Sequence, residues 1–149
     1  MKAIKMLKTL YIFILLCLSV ECFAKPVKDS DVLLNQAIKD LHSLSTQGGI
    51  MGVIDSVDRC YKNPKKPKLY CFYLDYSGRI FDALMVESII AHSDSNYPTN
   101  AFFSDENFQK RIFINLYKPY GSSMEEANSH MNFLYYKILD KLNEAVIEN

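Results

Sequence analysis

The 149-residue chain has no tryptophan, only 5 glycines and 5 prolines, four cysteines, three histidines, and no excess of either charge. So little glycine and proline excludes a collagen-like or low-complexity chain. The 17 Lys and Arg balance 17 Asp and Glu. A nucleic-acid binder needs a positive field to displace counterions from phosphates, and none is present. The same balance gives no strong attraction to anionic lipid. Beyond the first two dozen residues, no apolar run approaches the roughly 20 residues that a membrane-spanning helix needs. What the chain does have is apolar content: 49% of residues are hydrophobic, with ten tyrosines and nine phenylalanines. That excludes a disordered chain. The length allows one domain, since domains run to about 100–200 residues.

Catalytic patterns are also missing. His42, His92 and His130 lie far apart, and none belongs to a paired ligand motif such as HExxH. No serine sits in a G-x-S-x-G elbow. No CxxC occurs and no histidine lies near Cys60 or Cys71, which argues against a zinc site. No catalytic residue, metal ligand or cofactor site is therefore expected. His42 and His130 fall on polar helix faces and are expected to be exposed. His92 ends a helix, where a partly positive imidazole suits the dipole.

The amino terminus reads as a secretory signal peptide. Lys2, Lys5 and Lys8 precede an apolar run from Leu10 to Val20, and Cys22-Phe23-Ala24 follows with small residues at the −3 and −1 positions. The expected organisation is a signal over residues 1–24 and a single helical domain over 25–149, periplasmic or secreted. Removing the signal leaves 14 basic against 16 acidic residues. Cys17 and Cys22 leave with it. Cys60 and Cys71 remain as an isolated pair in an oxidising compartment, which predicts a disulfide. Closing so short a loop contributes on the order of 3 kcal/mol.

Helical spacing runs through the domain. Leu34, Ala37, Ile38, Leu41 and Leu44 predict a first helix, capped by Asp29, Ser30 or Asp31 and stopped near Gly48-Gly49. Ile50, Val53, Ile54, Val57 and Cys60 predict a second, ending before Asn63-Pro64. Leu69 to Ala91 carries two apolar stripes and predicts a third helix, central in its bundle. A strand over Leu69 to Tyr76 is the alternative, but strict alternation is missing. Ser93 to Phe103 reads as a loop. Phe108, Ile112 and Leu116 predict a fourth helix from Ser104 or Asp105, ended by Lys118-Pro119-Tyr120-Gly121. Ser123 and Glu126 form a capping box ahead of a fifth helix with Ala127, Met131, Leu134, Tyr135, Ile138, Leu142 and Ala145 or Val146 inward. The expected fold is an all-α compact bundle of about five helices, with one disulfide joining the second and third.

Four carboxylates and one basic turn stand out. Asp55 with Asp58, or Asp75 with Asp82, could share a helix face for acid–base work, although charge on a solvated face is the commoner explanation. Asp75 and Asp82 interrupt an otherwise apolar helix. They should line a groove or pair with Arg59, Arg79 or a lysine. Lys65, Lys66 and Lys68 crowd the turn Asn63–Lys68, which the bridge and two prolines stiffen. It is either a solvated turn or a contact surface for an acidic partner, since stiff loops lose less entropy on binding. Tyr97 and Phe102, in the Ser93–Phe103 loop, are the alternative contacts as aromatic anchors.

Two resemblances follow from these residues. Gly48-Gly49-Ile50-Met51-Gly52, followed by Asp55, Asp58, Arg59 and Cys60, resembles the glycine loop and Asp-Arg-Cys run of secreted calcium-dependent phospholipases. That likeness implies a calcium loop and a hydrolase. The His-Asp pair that should follow is replaced by Tyr61-Lys62-Asn63-Pro64, so the water-activating group is missing. A wider stretch is similar to periplasmic immunity proteins that neutralise type VI secretion amidase effectors: a signal peptide, a helix with Gly52 and Cys60, then Cys71, Tyr73, Tyr76, Gly78, Asp82 and Ala83. This resemblance implies a small, exported, helical, disulfide-linked inhibitor. Such a protein occupies the active-site cleft of a peptidoglycan-cleaving enzyme and has no catalysis of its own. The expected partner is thus a secreted cell-wall hydrolase, with a homodimer left open. The alternatives are a phospholipase-like secreted protein and a cell-envelope adaptor.

Overall fold

The computed structural model describes residues 26–93 and 97–147; the expected signal peptide lies outside them. All regular structure among the described residues is helical. Four α-helices run in order: α1 (Asp31–Lys62), α2 (Lys68–His92), α3 (Asp105–Ile112) and α4 (Met124–Ile147).

The count corrects the expectation of five. The two helices expected on either side of Gly48-Gly49 form one element, α1, broken at Gly49 (φ 58°, ψ −156°). An L side chain rarely adopts that φ, and glycine does so without steric cost. The break is sharp. A Cβ placed on Gly52 would stand 3.1 Å from the carbonyl oxygen of Leu44, whereas residues eight apart in a straight helix are about 12 Å apart along the axis. Glycine at 52 lets the two halves of α1 approach. The disulfide therefore joins the first and second helices, not the second and third.

Ser30 caps α1, its Oγ accepting the Leu33 N–H. The first half of α2 is the centre of the bundle, as its apolar stripes predict, and it is helical where a strand was the alternative; further along, the stripe residues Leu84 and Met85 are exposed. Every residue from Tyr70 to Gly78 is buried, and α2 packs most extensively on α1. Leu34, Leu41, Val53 and Val57 from α1 meet Phe72, Tyr73 and Leu74 from α2 in one core, closed by Phe108, Ile112, Leu116, Leu134 and Ile138. Each large side chain buried in this way contributes about 1.5–3 kcal/mol. Gly78 sits at a crossing, where a Cβ would come within 2.9 Å of Val53 Cγ1 and 3.1 Å of the Phe103 ring.

Part of the expected Ser93–Phe103 loop is a 3-10 turn over Ala101–Phe103, anchored when Asp82 accepts the Asn100 N–H at 2.9 Å. Residues 94–96 of that loop lie outside the described set. The expected fourth helix is α3 only as far as Ile112. It then widens into a π turn over Phe113–Tyr117 and tightens into a 3-10 turn over Lys118–Tyr120. The wide turn carries two consecutive residues, Leu116 and Tyr117, into the core. The capping box forms as read: Ser123 N–H donates to Glu126 Oε2 at 2.7 Å and Glu126 N–H to Ser123 Oγ at 3.1 Å. Tyr135, expected to face inward, is exposed beside Phe133 and Tyr136. No helix of the described residues is long and apolar enough to cross a membrane.

Candidate functional site

The turn between α1 and α2 is built from its ends inward. Asn63 follows the last residue of α1; its N–H reaches back to the Arg59 and Cys60 carbonyls, and its Oδ1 accepts the Lys65 N–H at 2.9 Å. Cys60 and Cys71 are bridged, with Cα atoms 5.6 Å apart. Lys68 does not project freely, because its Nζ donates to the Tyr61 carbonyl at 2.5 Å and so ties one end of the turn to the other. Lys66 holds its ammonium 5.0 Å from the centre of the Tyr70 ring. Lys65 is exposed, with its side chain toward solvent. The three lysines, alike in sequence, are thus a strap, an aromatic contact and a free cation.

Beside the turn lies a cavity of about 420 Å³, bounded by both halves of α1, the turn and the start of α2. Asp40, Arg59, Lys66 and Tyr70 give it its charge and polarity, while Leu44 and Leu74 give it an apolar wall. Asp40 is occupied: Tyr70 Oη donates to it at 2.6 Å and Gln36 Nε2 at 2.8 Å. Burial, with the Asp40 carboxylate facing it, raises the Tyr70 phenol well above its ordinary value.

The two aspartates that interrupt α2 divide between the two expectations: Asp82 lines a groove with Arg79, Thr99 and Asp105, and Asp75 forms a pair. Asp75 is fully buried and takes a bidentate contact from Arg111, at 2.8 Å from Nε and 2.7 Å from Nη2. Arg111, rather than the expected Arg59, Arg79 or lysine, is its partner. Burial raises Asp75 above the ordinary carboxylate range while Arg111 pulls the other way. The guanidinium also lies 3.7 Å from the Phe102 ring centre and donates to the Phe102 carbonyl at 3.1 Å. Phe102, a candidate anchor, is therefore half-buried against Arg111 and Phe103. Tyr97 is exposed. The turn precedes α2 in the chain and these aromatics follow it, but through Arg111 the Phe102 ring packs beside Asp75, in the first half of α2. Asp55 is exposed, and Asp58 pairs with Lys62 at 2.5 Å.

His130 differs from the expectation of an exposed residue. Its side chain is 16% exposed, with Nδ1 2.8 Å from Tyr117 Oη and Nε2 at 3.0 and 3.1 Å from the Asp29 oxygens. Tyr73 Oη donates to the same carboxylate at 2.6 Å and accepts the Ser30 N–H at 3.1 Å. The sequence offers one signal for this. His130 stands three residues after Ala127 and four before Leu134, so it borders the apolar stripe. The carboxylate–imidazole–hydroxyl order resembles a nucleophile with its base. Tyr117 is nonetheless buried, and burial raises its phenol above the ordinary value; an activated nucleophile needs the opposite shift. The cluster pins the segment before α1 against α2, α4 and the π turn.

The glycine run that resembles a calcium loop is the kink of α1. Among the described residues no three His, Cys, Asp or Glu side chains gather as a metal site would require. Comparison of the chain with protein families, with curated proteins and with solved structures finds no match.

Proposed function

We propose that this chain is an exported binding protein: an immunity protein that inhibits a peptidoglycan-cleaving amidase effector by occupying its active-site cleft. The observation that carries the reading is the Asn63–Lys68 turn. It is closed by a disulfide, strapped by Lys68 and capped by Asn63, and it presents Lys65 and Lys66. A loop already held in one conformation gives up little entropy on binding. A basic tip is complementary to a cleft lined by acidic groups. The export signal and the likeness of Gly52, Cys60, Cys71 and Gly78 to the immunity proteins supply the class of partner.

Calorimetry against a candidate amidase effector, sought beside this chain's gene, tests the proposal. The variant carries Lys65→Glu with Lys66→Glu and keeps Lys68, whose Nζ holds the Tyr61 carbonyl. Affinity should fall by several kcal/mol, as expected when like charges are juxtaposed in an interface. Circular dichroism should be unchanged, since surface changes usually stay within about 0.5 kcal/mol. Unaltered affinity in this variant would remove the turn from the interface.

A further inference from the structure

We infer that the cavity beside the turn is a receptor for a carboxylate-bearing peptide segment of the partner, so that each molecule inserts into the other. The identity of the partner rests on the inhibitory reading above; the chemistry of the cavity does not. Its volume of about 420 Å³ falls within the roughly 300–1,000 Å³ of ligand sites.

The charges on its wall are unequally satisfied. Asp40 already accepts two side-chain hydrogen bonds. Arg59 and Lys66 take part in none of the ion pairs of the described residues. Arg59 is steadied by one contact, from Nη2 to Ser56 Oγ at 3.2 Å. The remaining N–H groups of its fork suit a carboxylate in bidentate fashion. Lys66 is held at the rim by the Tyr70 ring. An arriving carboxylate meets two cations that lack a counter-ion. The stem of a glutamate finds Leu44 and Leu74, and a peptide N–H finds the free lone pairs of Asp40. Inorganic phosphate has no apolar stem for Leu44 and Leu74, and its second charge adds to the repulsion that Asp40 exerts on any anion.

The test uses the isotope-labelled mature chain in nuclear magnetic resonance titrations, without any enzyme. The probes are N-acetyl-Gly-Glu-Gly-amide, the Gln analogue, N-acetyl-triglycine with a free carboxyl terminus, and inorganic phosphate. The glutamate peptide should shift the Arg59 side-chain N–H and the Asn63 and Lys66 amides saturably, and the Gln analogue should not. Arg59→Gln and Lys66→Gln should each weaken binding about tenfold, equivalent to about 1.4 kcal/mol. Lys110→Gln, an exposed change on α3, should leave it intact. Binding of triglycine alone would support the receptor with a chain end as the source of the carboxylate. Equal shifts with the Gln analogue, tighter binding of phosphate, no shifts at the cavity, or full affinity in both cavity variants would each overturn the inference. Failure of the inhibitory reading would appear in calorimetry with the enzyme and leave this result untouched.

Discussion

Replacing Arg111 with Met should be among the most damaging single changes in the domain, and its cost should depend on pH. Asp75 is fully buried and Arg111 supplies both of its charged hydrogen bonds. Removing one partner of a buried pair leaves an uncompensated charge and costs about 3–5 kcal/mol. At a urea slope of about 1–3 kcal/mol/M, that moves the unfolding midpoint by roughly 2 M. The sign of the pH dependence follows from burial, which raises Asp75 in the folded chain. The folded state holds the proton where the unfolded state has lost it, so the Asp75 contribution is most favourable below the ordinary carboxylate value of about 3.9. It declines as pH rises through the folded value. Without Arg111 the folded value rises further, and the decline extends to higher pH. The wild-type minus variant difference should therefore be large near pH 7 and shrink as pH falls toward the ordinary carboxylate value, because burial makes Asp75 take up its proton more readily than a free carboxyl does. Urea melts followed by circular dichroism at both pH values measure it. A loss below about 1 kcal/mol near pH 7, the range of exposed pairs, would refute the reasoning. So would a loss that is the same at both pH values.

Alkali should unfold the domain steeply. Burial raises Tyr61, Tyr70, Tyr73, Tyr76 and Tyr117, Tyr76 to about 12. The unfolded chain ionises these five near pH 10, so stability present below that value is lost above it. Tyrosinate absorbance should therefore rise together with the loss of helicity; a smooth rise of these groups in a still-folded chain would contradict their burial. Gly78→Ala should cost about 1–3 kcal/mol by overpacking, because the new methyl meets Val53 and Phe103. Thermal melts check this, and an unchanged midpoint would mean that the crossing of α1 and α2 yields freely.

Local patterns in the sequence carried a good part of this structure. The two apolar stripes of Leu69 to Ala91 marked α2 as central, the isolated cysteines marked the bridge, and Ser123 with Glu126 marked the start of α4. Each of these depends on neighbours in the chain or on a compartment. Gly48-Gly49 marked a break, but pattern alone does not say whether a chain stops at a glycine or bends and resumes. The Arg111 partner of Asp75 lies 36 residues away and could be found only once α3 had packed on α2. The same holds for His130, 101 residues from Asp29. At the candidate site the sequence supplied the three lysines as equals. Only the fold separates Lys68 as a strap from Lys65 as a free cation, and only the bend at Gly49 creates the cavity that Arg59 and Lys66 share.

The most direct measurement is inhibition itself. The purified chain, with its Cys60–Cys71 bridge intact, is titrated into a candidate amidase effector, sought beside its gene, while cleavage of peptidoglycan is followed. Activity should fall to nothing at an equimolar ratio and return when Lys65→Glu and Lys66→Glu are introduced together. Undiminished cleavage at a large molar excess of the folded chain would contradict the inhibitory reading.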